Sequence, residues 1–476
     1  MGGQSVLKEQ AQKRSKKMKK TLQKPNMKRA IRKGKRTKSG RKPLRILWGS
    51  EQPTRPTGYA TVTRELIKRL VKRGHEVYVM GWDYNGEPFT HEEGWTVIHA
   101  GLGGFGSETI AGAGSPTVLD MHLEQLKPDL YISLTDAWFI GHAVISTNRA
   151  KVPYLAYLPI DGYPVSYAWK DILKMLHTPL WMSEFGRDTF TEFINEFSSA
   201  GLGDEGLREP ILDRYIGNSG EVLWHGIDPD VFKPMTSQQK KVAKEKLGLK
   251  WDFILIQVGR NTNRKQLPRL INAFKEFWIR NDRPFNVGMI LHVGDPTDTA
   301  GMGGWNLPQL IKEAGLDKQI AFSDTTTNPL FGLSREELAM LYGLADVHVM
   351  ATGGEGFGVP TAEAMACGTP IILPDNSTGP ELVGDDDERG WLVPCATHIV
   401  GPKWGVNLKL VDESALADAI QDAYDHPELV KSKGEAARNW AVENLSWDIL
   451  TDQLEELIHT VAESEHPLGE NAEMNL

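Results

Sequence analysis

Two carboxylates, Glu355 and Glu363, bracket a glycine-rich turn and the opening of a helix in the stretch Ala351-Thr-Gly-Gly-Glu-Gly-Phe-Gly-Val-Pro-Thr-Ala-Glu-Ala-Met-Ala-Cys-Gly-Thr-Pro370. Backbone N–H groups at a helix start have no intrahelical acceptor and carry partial positive charge, so they bind phosphate. Gly356 and Gly358 present no side chain to hold a phosphate off that backbone. Glutamates repel phosphate, so these two are hydroxyl acceptors, suited to gripping sugar rings on either side of a diphosphate. Glu363, about one turn into the helix, is placed for a ribose, and Glu355, on the loop, for the other sugar. Taken singly, each has a plainer reading, a solvated loop acid and an acid favoured by the helix dipole. The string as a whole favours the sugar sites.

The elements that must hold these residues are legible around them. Asp346–Met350 reads as a buried strand and Pro370–Leu373 as the next. Between them Pro360 suits the first helical position and Gly368 the residue just past the helix end. Upstream, the strand Phe253–Val258 leads into Gly259-Arg260-Asn-Thr-Asn-Arg-Lys265, then a helix over Leu267–Trp278. A leaving diphosphate is best stabilised by fixed cations. Arg260 can fork onto two phosphate oxygens, while Lys265 acts as a movable point charge. Cations near a helix start are otherwise mildly unfavourable, which argues against an idle surface pair. A dinucleotide fingerprint fits badly, because Gly354-Glu-Gly-Phe-Gly358-Val359 lacks the last glycine and lies late in the chain.

The run Glu355–Pro370 closely resembles the signature of retaining nucleotide-sugar glycosyltransferases of family 4, which have the GT-B fold. Gly379-Pro-Glu381-Leu-Val and Gly390-Trp-Leu-Val-Pro394 are similar to that family's continuation. The resemblance covers roughly Leu44 to Ala462 and implies an α/β protein of two Rossmann-like, doubly wound domains facing a central cleft, with a C-terminal crossing helix. It implies transfer of a sugar with retention, by front-face displacement in which the leaving phosphate helps deprotonate the acceptor. Arg260 and Lys265 then meet the diphosphate, and Glu355 orients the donor sugar. Gly58, Gly259, Gly356, Phe357, Gly358, Val359, Pro360, Thr361 and Glu363 line the donor. Arg264 is a weaker candidate, since the family pattern does not demand it. Relatives often carry a histidine after a first-domain strand; here Tyr157-Leu-Pro-Ile-Asp-Gly-Tyr-Pro164 has none, and Asp161 is the candidate in its place. His122, His142 and Asp136 are further candidates, with structural roles as the plainer reading. With two cations and a helix start in place, no metal and no cofactor beyond the sugar nucleotide is expected; Asp385–Asp387 reads as a solvated turn.

The organisation expected from the strand and helix patterns is alternating, which implies parallel sheets covered on both faces. Residues 1–43 form a basic tail expected to be disordered when free. Residues 44–235 form an acceptor-side domain opening with strand Leu44–Trp48, helix Tyr59–Arg73 and strand Glu76–Met80. Residues 236–446 form the sugar-nucleotide domain. Residues 447–476 carry a helix, over Trp447–Ala462, returning to the first domain, and a tail.

The chain has 476 residues, and its two cysteines, Cys367 and Cys395, argue against a disulfide framework and for a reducing cytoplasm. No apolar run approaches the ~20 residues of a membrane helix. No secretory leader is expected, and no Cys/His spacing suits zinc. Residues 1–45 hold 18 Lys or Arg and one acid, Glu9, so the remainder, with 36 basic and 61 acidic residues, has a net charge of −25. Such an arm suits DNA, RNA or an anionic membrane surface, or serves as a solubilising tail. The expected function is therefore sugar transfer from a UDP-, GDP- or similar donor to an acceptor hydroxyl, on a DNA base, a lipid headgroup or a glycan. The alternative is a non-catalytic nucleic-acid- or membrane-binding protein whose body senses sugar nucleotides.

Overall fold

The computed structural model describes residues 40–464 except 56, 103, 111–114, 167–168, 170–171, 174, 200–219, 299–300, 302, 324–332 and 401–405. The basic tail therefore lies almost entirely outside the described residues. By internal contacts the chain divides into two units. The first takes the chain up to Leu158, a short stretch ending at Leu180, and the chain from Thr451 onward. The second takes Pro159–Lys170 and Trp181–Leu450.

In the first unit a sheet runs in the order β3-β4-β2-β1-β5-β6-β7. Its strands are β1 (Arg45–Ser50), β2 (Glu76–Gly81), β3 (Phe89–Thr90), β4 (Thr96–Ile98), β5 (Leu130–Leu134), β6 (Tyr154–Leu158) and β7 (Thr178–Trp181). β1 pairs in parallel with both β2 and β5, so neither of its edges is free, and every residue but Arg45 is buried. The helix Gly58–Lys72 buries Val62, Leu66, Ile67 and Leu70, one face at helical spacing. Thr57 caps it, accepting from the Ala60 N–H at 3.3 Å.

The end of the C-terminal helix belongs to this unit and is fastened by charge. The Leu44 N–H donates to His75 Nδ1 at 3.1 Å, so the neutral ring keeps its proton on Nε2, which faces Glu455 Oε1 at 3.2 Å. Arg73 takes the other carboxylate oxygen at 2.8 Å. His459 lies alongside, its ring centre 5.5 Å from that of His75. His75, Glu455 and His459 are residue types that bind metals, and their ligating atoms lie within 4.8 Å of one another. The proton on His75 Nε2 and the guanidinium on Glu455 already fill the positions a cation would take.

Burial lowers the His75 pKa despite Glu455. Burial alone would raise that of Glu455, but Arg73 and His75 hold it below the usual carboxylate range. Both groups bind fewer protons folded than unfolded. Their stabilisation is therefore present at neutral pH and lost on acidification, first below the ordinary histidine pKa and then through the carboxylate range. Glu455→Ala should cost about 1–3 kcal/mol, the cost of stranding buried donors, and should flatten the fall in melting temperature through the carboxylate range while steepening it through the histidine range, where the His75 pKa drops further without Glu455. A melting series across that range checks both.

The second unit holds β8 (Glu221–Val222) and a parallel sheet ordered β11-β10-β9-β12-β13-β14. Its strands are β9 (Phe253–Val258), β10 (Val287–His292), β11 (Ile320–Phe322), β12 (Val347–Val349), β13 (Ile371–Pro374) and β14 (Gly390–Val393). The chain moves outward from β9 to β10 and β11, then returns to β9's other side at β12. That makes β9/β12 the point where strand order reverses, the usual ligand position at the carboxyl ends of such sheets. Helix Leu267–Arg280, two residues longer than the sequence pattern suggests, buries Leu270, Ile271, Phe274 and Phe277 on this sheet. Helix Val359–Ala366 is short because the chain passes through Cys367 to Gly368, at φ +74°. A separate antiparallel hairpin, β15 (Cys395–Val400) and β16 (Asn407–Val411), has no counterpart in the sequence reading. The helix Trp447–Glu463 follows the expected span to within a residue.

Candidate functional site

The carboxyl ends of β9 and β12 deliver two loops, 259–266 and 350–358, and the chemistry converges between them. Glu355 is buried, 9 % exposed, and its carboxylate is held from three sides. Lys265 Nζ donates to Oε1 at 2.6 Å, and the Thr352 hydroxyl donates to the same oxygen at 2.7 Å. Arg264 NH1 lies 3.0 Å from Oε2. Asp161, about one-third exposed, stands 3.5 Å from Arg264 Nε. Burial pushes the Glu355 carboxyl up, but the Arg264 guanidinium and the Lys265 ammonium overcome it and hold it at about 2. It is therefore ionised throughout the physiological range. Burial also lowers the Lys265 ammonium, against the pull of Glu355.

The backbone is fixed with equal care. Glu355 N–H donates to Ser377 Oγ at 2.9 Å, Gly353 N–H to the Arg264 carbonyl at 2.7 Å, and Asn376 Nδ2 to the Gly353 carbonyl at 2.6 Å. A Cβ on Gly354 would fall 1.7 Å from the Asp161 carbonyl oxygen, and one on Gly356 2.5 Å from Pro159 Cβ. Glycine is required here by close approach. Gly358, at φ +104°, starts the helix in the left-handed region.

The structure brings Asp161, Lys265 and Glu355 together and adds Arg264, the weaker candidate by its motif. Arg260 is exposed and meets no carboxylate among the described residues, so its fork is open to a ligand. Gly259 lies against Lys265, whose Cε is 3.2 Å from where a Cβ would be. Two of the expected donor contacts are turned inward. Phe357 is 2 % exposed and packs on His225, ring centres 5.3 Å apart, and Thr361 is buried with its hydroxyl 3.4 Å from His348 Nε2. Their side chains pack beneath the turn. The N–H groups of Thr361 and Ala362 already bond the Gly358 carbonyl, which leaves Gly358 and Val359 as the open main-chain donors among the described residues. Val359 and Pro360 are half-buried at the helix start.

Glu363 stands on the next turn of that helix, partly exposed, and accepts from the Tyr342 hydroxyl at 3.3 Å. Burial raises its carboxyl to about 7, with Arg335 and Tyr342 pulling back. Gly58 belongs to the first unit, exposed at its helix start with open space where a Cβ would be. His122 donates its Nε2 proton to the His99 carbonyl at 2.7 Å, is buried, and is pushed by that burial down to about 4. His142 holds the Phe105 carbonyl at 3.0 Å. Both are structural. Asp136 makes no side-chain cap to the turn it precedes; it accepts from the Tyr59 hydroxyl at 3.0 Å. Thr352, Asn376 and Ser377 are the supports that sequence reasoning missed. The only signal for them is their placement at strand ends beside glycines.

Against known proteins, residues 239–440 match the family model described as Glycosyl transferases group 1. The chain is 26 % identical over 245 residues to a GDP-mannose-dependent alpha-(1-6)-phosphatidylinositol monomannoside mannosyltransferase of Mycolicibacterium smegmatis, covering 50 % of this chain and 56 % of that protein. It is 30 % identical over 239 residues to a D-inositol 3-phosphate glycosyltransferase of Mycobacteroides abscessus, covering 49 % and 45 %. The chain thus spans about half the length of these curated relatives. Among solved structures it resembles sucrose-phosphate synthase from Thermosynechococcus elongatus, with a TM-score of 0.63 at 19 % identity over 88 % of this chain and 99 % of that one. It also resembles HepE of Anabaena, solved with UDP and glucose, with a TM-score of 0.63 at 17 % identity over 88 % and 100 %. The protein has an α/β fold of the GT-B type.

Proposed function

We propose that this protein is a retaining glycosyltransferase of family 4 that moves a sugar from a nucleoside diphosphate donor to an acceptor hydroxyl, using no metal and no cofactor besides that donor. The observation that carries the reading is the permanently ionised Glu355 held by Lys265 and Arg264 at the strand-order reversal, beside an open helix start and the unpaired Arg260. In this reading the diphosphate lies on the Gly358 and Val359 amides, Arg260 and Lys265. These groups stabilise the charge that grows on it as the glycosidic bond breaks. Glu355, too acidic to donate a proton, accepts donor-sugar hydroxyls and stabilises positive charge in the ring. The leaving phosphate takes the acceptor proton. Asp161 orients Arg264 and faces the acceptor side.

Glu363 accepts ribose hydroxyls as a carboxylate. With its carboxyl at about 7, donor affinity falls as pH drops through that value, by roughly tenfold per unit once it is protonated. Glu363→Gln should bind more weakly at pH 8 and lose that pH dependence; calorimetric titration with nucleoside diphosphates at several pH values checks this.

The donor is UDP- or GDP-linked, as the names of the relatives suggest. The basic arm, residues 1–43, supplies sequence-independent attachment to a polyanion that carries or neighbours the acceptor: DNA, an anionic lipid surface or an anionic glycan. Among the described residues no helix is long and apolar enough to cross a membrane, and we place the protein in the cytoplasm, attached peripherally through the arm. A panel of sugar nucleotides, scored by thermal stabilisation and nucleoside diphosphate release, tests the enzyme against a non-catalytic sensor, which would bind without release. Repeating it with DNA, anionic vesicles and glycans, with and without residues 1–43, assigns the acceptor.

A further inference from the structure

The hairpin β15–β16 stands outside the sheet that builds the site, as a two-stranded sheet of its own bridged at Asn407 to Tyr163. It leaves the chain after β14 and rejoins it with Asp412 N–H on the Pro394 carbonyl at 2.9 Å. Closure of the sheet does not require it. In an antiparallel pair, alternate residues turn their N–H groups away from the partner strand. Asn407 and Lys409 are two such residues, on either side of the Leu408–Ile399 pair. The Asn407 N–H donates to the Tyr163 carbonyl at 3.2 Å, and the Lys409 N–H to the Gly353 carbonyl at 3.1 Å. One strand thus ties the segment bearing Asp161 to the turn bearing Glu355.

The packing leaves no slack at these junctions. A Cβ on Gly162 would sit 2.3 Å from Val406 Cγ1 and 2.8 Å from the Asn407 carbonyl oxygen. A Cβ on Gly353 would lie 3.0 Å from Leu408 Cβ. Among the described residues the hairpin makes no hydrogen bond to Arg260, Glu363 or the helix Val359–Ala366.

We propose that the strand pair β15–β16 is a positioning element for Glu355. Its outward N–H groups hold the Asp161 segment and the Gly353–Glu355 turn in one register, and with them the Asp161–Arg264–Glu355 run of charges. The inference rests on the reading of Glu355 as the group that faces the donor sugar. The nucleotide end of the site is untouched, so the hairpin governs turnover and leaves nucleotide affinity alone.

Lys409→Pro removes the donated N–H at an outward position that tolerates proline, while Lys409→Ala keeps it and alters only an exposed side chain. A second variant excises residues 396–410 and joins the ends with Asn-Gly, which closes a two-residue hairpin turn. Three quantities are measured: the turnover number for nucleoside diphosphate release, Kd for UDP and GDP, and amide exchange at 159–163 and 353–356. Lys409→Pro and the excision should lower turnover about 10²-fold, the scale expected for a misplacement near 1 Å. Kd should be unchanged and exchange faster in both segments, with Lys409→Ala matching wild type throughout. The proposal is overturned if Lys409→Pro keeps wild-type turnover and exchange, or if its Kd weakens in step with turnover. If the wild type binds no nucleoside diphosphate, the functional reading fails on its own, and the exchange comparison still decides whether the hairpin braces the turn.

Discussion

Glu355→Gln should lower the rate of nucleoside diphosphate release about 10²–10³-fold, the loss expected when one preorganised charge-stabilising group is removed from a water-poor site. The substitution keeps shape, removes the charge and turns one acceptor oxygen into an amide donor among donors. Glu355 sits between an ammonium at 2.6 Å and a guanidinium at 3.0 Å, and their field holds its carboxyl at about 2. It cannot serve as a proton donor near neutrality, so its contribution is electrostatic, and Gln cannot replace it. The affinity for the nucleoside diphosphate, which Glu355 does not touch in this account, should change little. Steady-state kinetics and calorimetry on the same preparation separate the two. The acid limb of the pH–rate profile should survive in Glu355→Gln, because the group that titrates near neutrality is Glu363, at about 7.

Lys265→Ala should have the second large effect, falling on stability and binding together. The ammonium is 7 % exposed, and its loss leaves a buried carboxylate facing one cation where it had two. Breaking a buried pair from one side costs about 3–5 kcal/mol. Lys265→Met refills the volume beside Gly259, where the Lys265 chain comes within 3.2 Å of a Cβ position. It should therefore recover part of that stability and none of the diphosphate affinity. The Glu355→Gln/Lys265→Met double variant should be more stable than the sum of the two single losses allows, by about 0.5–3 kcal/mol. Urea unfolding of the four proteins gives the coupling directly.

Much of the second unit was legible because a parallel sheet buried on both faces writes its strands as unbroken apolar runs. Phe253–Val258 is found at the same bounds in the structure. The strand expected at Asp346–Met350 shortens to Val347–Val349; Asp346 instead accepts the Ile254 N–H at 2.8 Å with its carboxylate. Glu355 and Lys265 were found because glycine spacing and a loop after a strand have local signatures. Arg264 was undervalued because its meaning depends on Asp161, about a hundred residues earlier, which no local pattern ties to it. That the Phe357 and Thr361 side chains point inward is not legible in the motif, which does not say which of its side chains are buried. The hairpin escaped because Cys395–Val411 has neither a helical nor a clean alternating pattern. The His75–Glu455 pair joins positions 380 apart in sequence, a distance over which only the folded chain brings them together.

The central claim is that the carboxyl ends of β9 and β12 bind a sugar nucleotide. A crystal structure of the protein grown with a UDP- or GDP-sugar tests it most directly. The account predicts the diphosphate on Arg260, Lys265 and the Gly358–Val359 amides, the ribose on Glu363 and the donor sugar on Glu355. A nucleotide bound elsewhere, or one whose diphosphate leaves Arg260 and Lys265 without contact, would contradict it.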